Sequence, residues 1–191
     1  YLAACDIIQR DIFLDEKLKP EVETGVEQPD LKGKQVSNAL TGEKMDYKKL
    51  ARRYEAGSFE RALLLPERVQ AMCADLFDLL VKSGGPEQKT IIFCASDNHA
   101  DKIAIELNNL YADWCAQMET TPLRPYAFKC TAASSGNDQL PDLRGASRSH
   151  FIATTVDLLT TGVDVPVVQN IVFFKYVKSP IAFYQMVGRG T

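Results

Sequence analysis

The sequence predicts an α/β fold in which a mainly parallel sheet is covered by helices on both faces. Three observations carry this. Short apolar stretches at Thr90–Cys94, Tyr126–Cys130, Phe151–Thr154 and Asn170–Phe174 have the length of buried strands. Stretches with apolar residues three and four apart separate or flank them, the period of an amphipathic helix. The 191 residues, 46% hydrophobic and 25% charged, suit one sizeable globular domain or a domain with an extension.

Taken in order, Cys5–Leu14 is rich in Ile and Phe with partial alternation and reads as a strand. Residues 16–44 hold two prolines, three glycines and many charges without a period, and read as an exposed insertion or crossing loop with room for a short hairpin. Asp46–Ala56 reads as a helix ending near Gly57. Its Lys48, Lys49, Arg52 and Arg53 form a basic cluster that is either a solvated face or a surface that tracks DNA. Pro66 suits the first position of a helix whose Val69, Met72, Cys73, Leu76, Phe77 and Leu80 share one face, ended by Gly84 and Gly85.

After the strand at Thr90–Cys94, Ser96 or Asp97 can cap a helix burying Ala100, Ile103, Ala104, Leu107, Leu110 and Tyr111. Residues 134–149 are polar and turn-rich. A short helix is expected around Val156–Leu159, and Ser179-Pro180 opens a last helix over Ile181–Val187. In parallel sheets ligands gather at the carboxyl ends of strands, so the loops after Cys94, Cys130, Thr154 and Phe174 are where chemistry is expected.

Composition excludes some functions. A net charge of −3 argues against a free-standing DNA-coating protein, so any DNA affinity is local or shared with another domain. Cys5, Cys73, Cys94, Cys115 and Cys130 are odd in number and none form CxxC, which disfavours a disulfide framework or zinc site and fits a reducing cytoplasm. No apolar run is long enough to span a bilayer. His99 and His150 have no partner at triad spacing; His150 reads as a solvent-facing strand flank and His99 as structural or phosphate-contacting. Trp114 and Tyr111 read as packing residues.

Two stretches carry chemistry. In Phe151-Ile-Ala-Thr-Thr-Val-Asp-Leu-Leu-Thr-Thr-Gly-Val-Asp-Val-Pro166, hydroxyls end a strand and can hold a phosphate without positive charge. Gly162 permits close backbone approach, and Asp164 can accept from a ribose hydroxyl or an arginine. In Phe183-Tyr-Gln-Met-Val-Gly-Arg-Gly-Thr191, Gln185 and Arg189 lie four apart on one side of a helix end, where arginine can present its planar fork to phosphate. Each alone has a plain reading, as a capped strand–helix connection and as a surface arginine.

In this order the two stretches resemble motifs V and VI of superfamily 2 helicases and translocases, with Thr90-Ile-Ile-Phe-Cys-Ala-Ser96 where motif IV belongs. Leu-Thr-Thr-Gly-Val-Asp-Val-Pro166, Phe-Phe-Lys175, the Gly-Arg-Gly-Thr191 ending and Asp97-Asn-His-Ala-Asp101 look like the R subunit of type I restriction enzymes. The resemblance implies a RecA-like, P-loop NTPase-like helicase C-terminal lobe over residues 66–191, preceded over residues 1–65 by a lead-in strand and an insertion or linker from a first motor lobe. It implies that Gly162, Asp164 and Gly188 line the nucleotide, that Gln185 and Arg189 point across an ATP cleft, and that Ser96, Thr131, Thr154 and Thr155 touch the DNA backbone.

ATP and Mg²⁺ would be held mainly by the first lobe, because the chain has no GxxxxGK[ST] loop. The implied partners are double-stranded DNA, the first lobe, and the methyltransferase and specificity subunits, with no membrane and with the nuclease residues elsewhere. Two departures stand out. Val156 occupies a place where many superfamily members carry threonine, which points to Thr155 instead, and the arginine that completes motif VI would follow Thr191. The reading therefore expects an excised fragment that alone neither hydrolyses ATP nor translocates. Two other readings stay open: a lobe of another superfamily 2 DNA or RNA helicase, and a RecA-like or flavodoxin-like binding module without a motor role.

Overall fold

In the computed structural model, which describes residues 6–8, 25–55, 59–131, 138–156, 167–177 and 179–187, the first described elements are two short antiparallel pairs. β1 (Val26–Glu27) pairs with β3 (Arg53–Tyr54), and β2 (Ser37–Asn38) with β4 (Leu63–Leu64). α1 (Phe59–Ala62) is one turn long. A bridge between Ser37 and Lys44 closes the hairpin that the sequence allowed. Its tip is set by Asn38, whose Oδ1 accepts from the Leu40 and Thr41 amides, and by Gly42 at φ 74°. Val26, Leu31, Val36, Leu50, Phe59, Leu63 and Leu65 bury one another in a small core.

The remainder is the α/β body. α2 (Pro66–Ser83) starts with proline at its first position and buries Val69, Met72, Cys73, Leu76, Phe77 and Leu80. It stops at Gly84, where the Gly84 and Gly85 amides donate to the Leu80 carbonyl. β5 (Thr90–Cys94) is buried along its whole length. α3 (Asp97–Gln117) is capped by Ser96, whose hydroxyl oxygen accepts from the His99 amide at 3.2 Å. β6 (Ala127–Lys129), α4 (Leu140–Gly145), β7 (Ile152–Thr155), β8 (Asn170–Phe174) and α5 (Pro180–Val187) follow.

The four long-range strands lie in the order β6-β7-β5-β8, every pair parallel. Alternation along β5 divides the core in two. Ile92 and Cys94 face α2 and α3, whereas Ile91 and Phe93 share a cluster with Leu140 and Leu143 of α4 and with Val168, against which Met186 of α5 packs. Each fully buried side chain of the size of Ile92, Ile103, Leu107 or Ile152 stabilises the fold by about 1.5–3 kcal/mol relative to exposure. Tyr126 stacks on Tyr111 at 4.0 Å between centroids, and its hydroxyl donates to the Pro86 carbonyl at 2.6 Å. This aromatic pair, flanked by Trp114, ties the turn before β5 to α3, the packing role expected of these residues.

The expected parallel sheet, α2, α3, α5 and strands β5 to β8 are all present. Four expectations are corrected. The described part of the helix read at Asp46–Ala56, residues 46–55, is not helical: a 3-10 turn at Tyr47–Lys49 leads into β3, because Asp46 takes the Lys48 amide and β3 is claimed by pairing with β1. The basic cluster therefore lies on a turn and a strand. The described part of residues 16–44 is not an exposed loop, since Val26, Leu31, Val36 and Ala39 are buried. The polar stretch before β7 contains α4, with Leu140 and Leu143 turned inward. His150 is half-buried rather than solvent-facing, with its ring edge on Phe128 and Nε2 3.8 Å from Asp142. The strand read at Cys5–Leu14, apart from residues 6–8, and the helix read at Val156–Leu159, apart from Val156, lie outside the described residues.

Candidate functional site at the carboxyl rim of the sheet

Because β5, β6, β7 and β8 are parallel, their carboxyl ends share one rim. The side chains there are Ser96 after β5, Thr131 after β6, Thr154 and Thr155 closing β7, and Lys175 after β8. Registers Lys129↔Thr154, Phe93↔Thr155 and Phe93↔Phe173 set the strand ends side by side.

The hydroxyls at this rim differ in what they hold. Ser96 caps α3 and donates to the Ala39 carbonyl at 2.8 Å, so both its hydrogen-bonding roles are met within the chain. Thr154 is fully buried and donates to the Ala100 carbonyl at 2.9 Å, fastening β7 to α3. Thr131 donates to Asp97, whose second oxygen is 2.9 Å from Lys129 Nζ. The hydrogen bond from Thr131, and then Lys129, hold the Asp97 carboxyl below its ordinary range, and Asp97 holds the Lys129 ammonium above its own. Thr155 points to the opposite face from Thr154, as strand alternation requires. It is 1% exposed, and its hydroxyl has no hydrogen-bond partner among the described residues. A buried hydroxyl left in that state costs about 1–3 kcal/mol.

Lys175 reaches from the end of β8 across β5. Its ammonium donates to the Val156 carbonyl and lies 5.6 Å from the Phe93 ring centroid. α5 begins beyond it, where Ser179 Oγ accepts from the Ala182 amide and Pro180 takes the first helical position. Phe183 packs on Phe173 at 5.3 Å, and Gln185 is exposed. Gly162, Asp164, Gly188 and Arg189 lie outside the described residues. Sequence reasoning missed Asp97 as the node joining Thr131 and Lys129, and Lys175 as the strap across β5. The cap signal at Ser96-Asp97 was visible, but the partners lie 32 to 34 residues away and leave no local trace.

His99 sits below the rim, buried, with Nδ1 accepting from the Ala95 amide at 3.2 Å. That hydrogen bond assigns the ring proton to Nε2 and gives the residue a structural role. Burial, reinforced by Arg68, pushes its pKa down to about 4. The unfolded chain takes up the proton near pH 6.5, so the stability tied to neutral His99 is complete above that pH and is lost as pH falls toward 4. Urea unfolding at pH 5 is expected to show a loss of roughly 2 kcal/mol relative to pH 7, a loss that His99→Gln abolishes. A His99→Gln variant with an unchanged pH profile would assign the acid sensitivity elsewhere.

Among the described residues no three His, Cys, Asp or Glu side chains group to hold a metal ion. No helix among them is long and apolar enough to cross a membrane.

A parallel four-stranded sheet flanked by helices agrees with the comparisons with known proteins. The helicase conserved C-terminal domain family matches residues 71–191, and the chain belongs to that family. Within it, the chain is homologous to endonuclease subunits of type I restriction enzymes. It is 34% identical over 138 residues to the type I restriction enzyme EcoKI endonuclease subunit of Escherichia coli K12, covering 72% of this chain and 12% of that one. It is 31% identical over 154 residues to the EcoAI endonuclease subunit of Escherichia coli, covering 80% of this chain and 18% of that one. A solved fragment described as an HsdR subunit of a type I restriction enzyme from Vibrio vulnificus YJ016 superposes with a TM-score of 0.55 at 34% identity, covering 66% of this chain and 24% of that one. The chain thus spans less than a fifth of the length of these two curated relatives.

Proposed function

We propose that this chain is the second motor lobe of the ATP-dependent DNA translocase in a type I restriction endonuclease subunit, with residues 1–65 leading in from the first lobe. The observation that carries the reading is the rim shared by four parallel strand ends, in a chain homologous to endonuclease subunits of type I restriction enzymes. A phosphate oxygen of duplex DNA is the ligand that hydroxyls and backbone amides at such a rim suit. Ser96, Thr131 and Thr154 belong to the same rim and fix the strand ends that form it.

On the nucleotide side, Gly162, Asp164 and Gly188 line ATP held chiefly by the first lobe. Gln185 and Arg189 face it across the cleft, Arg189 stabilising charge that develops on the leaving phosphoryl group. Mg²⁺ belongs with the first lobe as well. The lobes close on ATP and open after hydrolysis, each gripping the DNA backbone in turn. The assembly that uses this motion contains methyltransferase and specificity subunits and works in the cytoplasm.

ATP hydrolysis by the full-length polypeptide tests this. Duplex DNA is expected to stimulate turnover and RNA to leave it at the basal rate, while the 191-residue chain alone gives no magnesium-dependent turnover. Stimulation by RNA in preference to duplex DNA would assign the lobe to an RNA helicase instead. Turnover by the isolated chain would overturn the division of the ATP site between lobes.

A further inference from the structure

The segment between Asp46 and Tyr54 is basic, exposed and fastened along its backbone. Asp46 Oδ1 accepts from the Lys48 amide at 2.9 Å. Gln28 Nε2 donates to the carbonyls of Tyr47 at 2.8 Å and Leu50 at 3.2 Å, and the Gln28 amide donates to the Arg52 carbonyl at 2.9 Å. The Ala51 amide donates to the Tyr54 hydroxyl at 2.9 Å, and Leu50 is buried in the small core. With the backbone held at each of these points, Lys48, Lys49 and Arg52 are left exposed to solvent.

None of these three cations forms an ion pair among the described residues. Arg53 is different: Glu27 at 3.8 Å and Glu55 at 3.3 Å neutralise it. In a chain whose net charge is −3, three unpaired cations on one fixed turn are a local positive surface.

The module that carries this turn is latched to the rim. Ser96 donates to the Ala39 carbonyl at 2.8 Å, and Asn98 Nδ2 to the Leu40 carbonyl at 2.6 Å. The hydroxyl after β5 is therefore spent on holding the module, and the module brings cations of its own. We infer that the Lys48–Lys49–Arg52 turn is a second, sequence-independent contact for the phosphate backbone of duplex DNA, an inference that rests on the DNA-motor reading above. Lysine and arginine on a fixed backbone neutralise phosphates without reading bases, and each such contact adds about 0.9 to the slope of log affinity against log salt.

The test is fluorescence anisotropy of the chain with a labelled mixed-sequence duplex across a salt series. For the Lys48→Gln/Lys49→Gln/Arg52→Gln variant the slope is expected to fall by about 2 to 3, with at least about a tenfold loss of affinity at low salt. A variant with the same charge change elsewhere, Lys82→Gln/Arg144→Gln/Arg148→Gln, should keep the wild-type slope. So should the charge-preserving Lys48→Arg/Lys49→Arg/Arg52→Lys variant, which also controls for folding. Wild-type affinity and slope in the neutralised turn variant overturn the inference and leave the motor reading standing. No binding by the wild-type chain overturns the inference as well. The motor reading falls with it only if duplex DNA also fails to stimulate ATP hydrolysis by the full-length polypeptide.

Discussion

Phe93→Ala is expected to destabilise the chain by about 3–5 kcal/mol in urea unfolding, a large share of the 5–15 kcal/mol that holds a domain of this kind folded. Phe93 is fully buried in β5, with β7 on one side and β8 on the other. Its ring stacks on Phe173 at 5.4 Å with 11° between planes, and the Lys175 ammonium lies over it. Removing the ring leaves a cavity that the parallel strands on either side cannot close, because their hydrogen bonding fixes the strand spacing.

The consequence reaches the rim. Phe173 in turn contacts Phe183 of α5, so Phe93, Phe173 and Phe183 form an aromatic series from the central strand to the helix that carries Gln185. Amide exchange in α5 is therefore expected to quicken in Phe93→Ala more than in an equally destabilised variant on the other face, such as Leu107→Ala. A loss below about 1 kcal/mol, with unchanged exchange in α5, would show that the series carries little of the packing.

The parts of the fold legible in the sequence are those whose signal is local. β5 and β8 are continuous apolar runs, α2 and α3 repeat apolar residues at three and four, and Ser179-Pro180 announces α5. Leu110 was placed on the buried face of α3 but is only partly covered, because it lies at the margin of the apolar stripe. Within residues 25–44 and 46–55 the burial and the antiparallel pairing of β1 with β3 were missed for a physical reason. Val26 pairs with Tyr54 and Ser37 with Leu64, contacts between distant residues that impose no period on the intervening chain.

The rim was legible by residue type and not by role. Two adjacent threonines ending β7 were visible, but alternation sends one hydroxyl to α3 and leaves the other without a partner among the described residues. Which is which depends on the register of β7 against β5 and β6, a property of the assembled sheet. Likewise Ser96 was recognised as a cap, whereas its second hydrogen bond, to Ala39, depends on a hairpin 57 residues earlier in the chain.

The claim on which the functional account turns is that the segment following α5 faces a nucleotide held by a neighbouring lobe. Steady-state ATP hydrolysis by the full-length polypeptide carrying Arg189→Ala, at saturating duplex DNA, tests it most directly. A guanidinium aimed at developing phosphoryl charge is worth about 100- to 1,000-fold in turnover, and lysine at the same position restores only part of that because it lacks the planar fork. The account predicts a loss of that size with the unfolding profile of the lobe unchanged. Turnover within a few-fold of the unsubstituted polypeptide would contradict it.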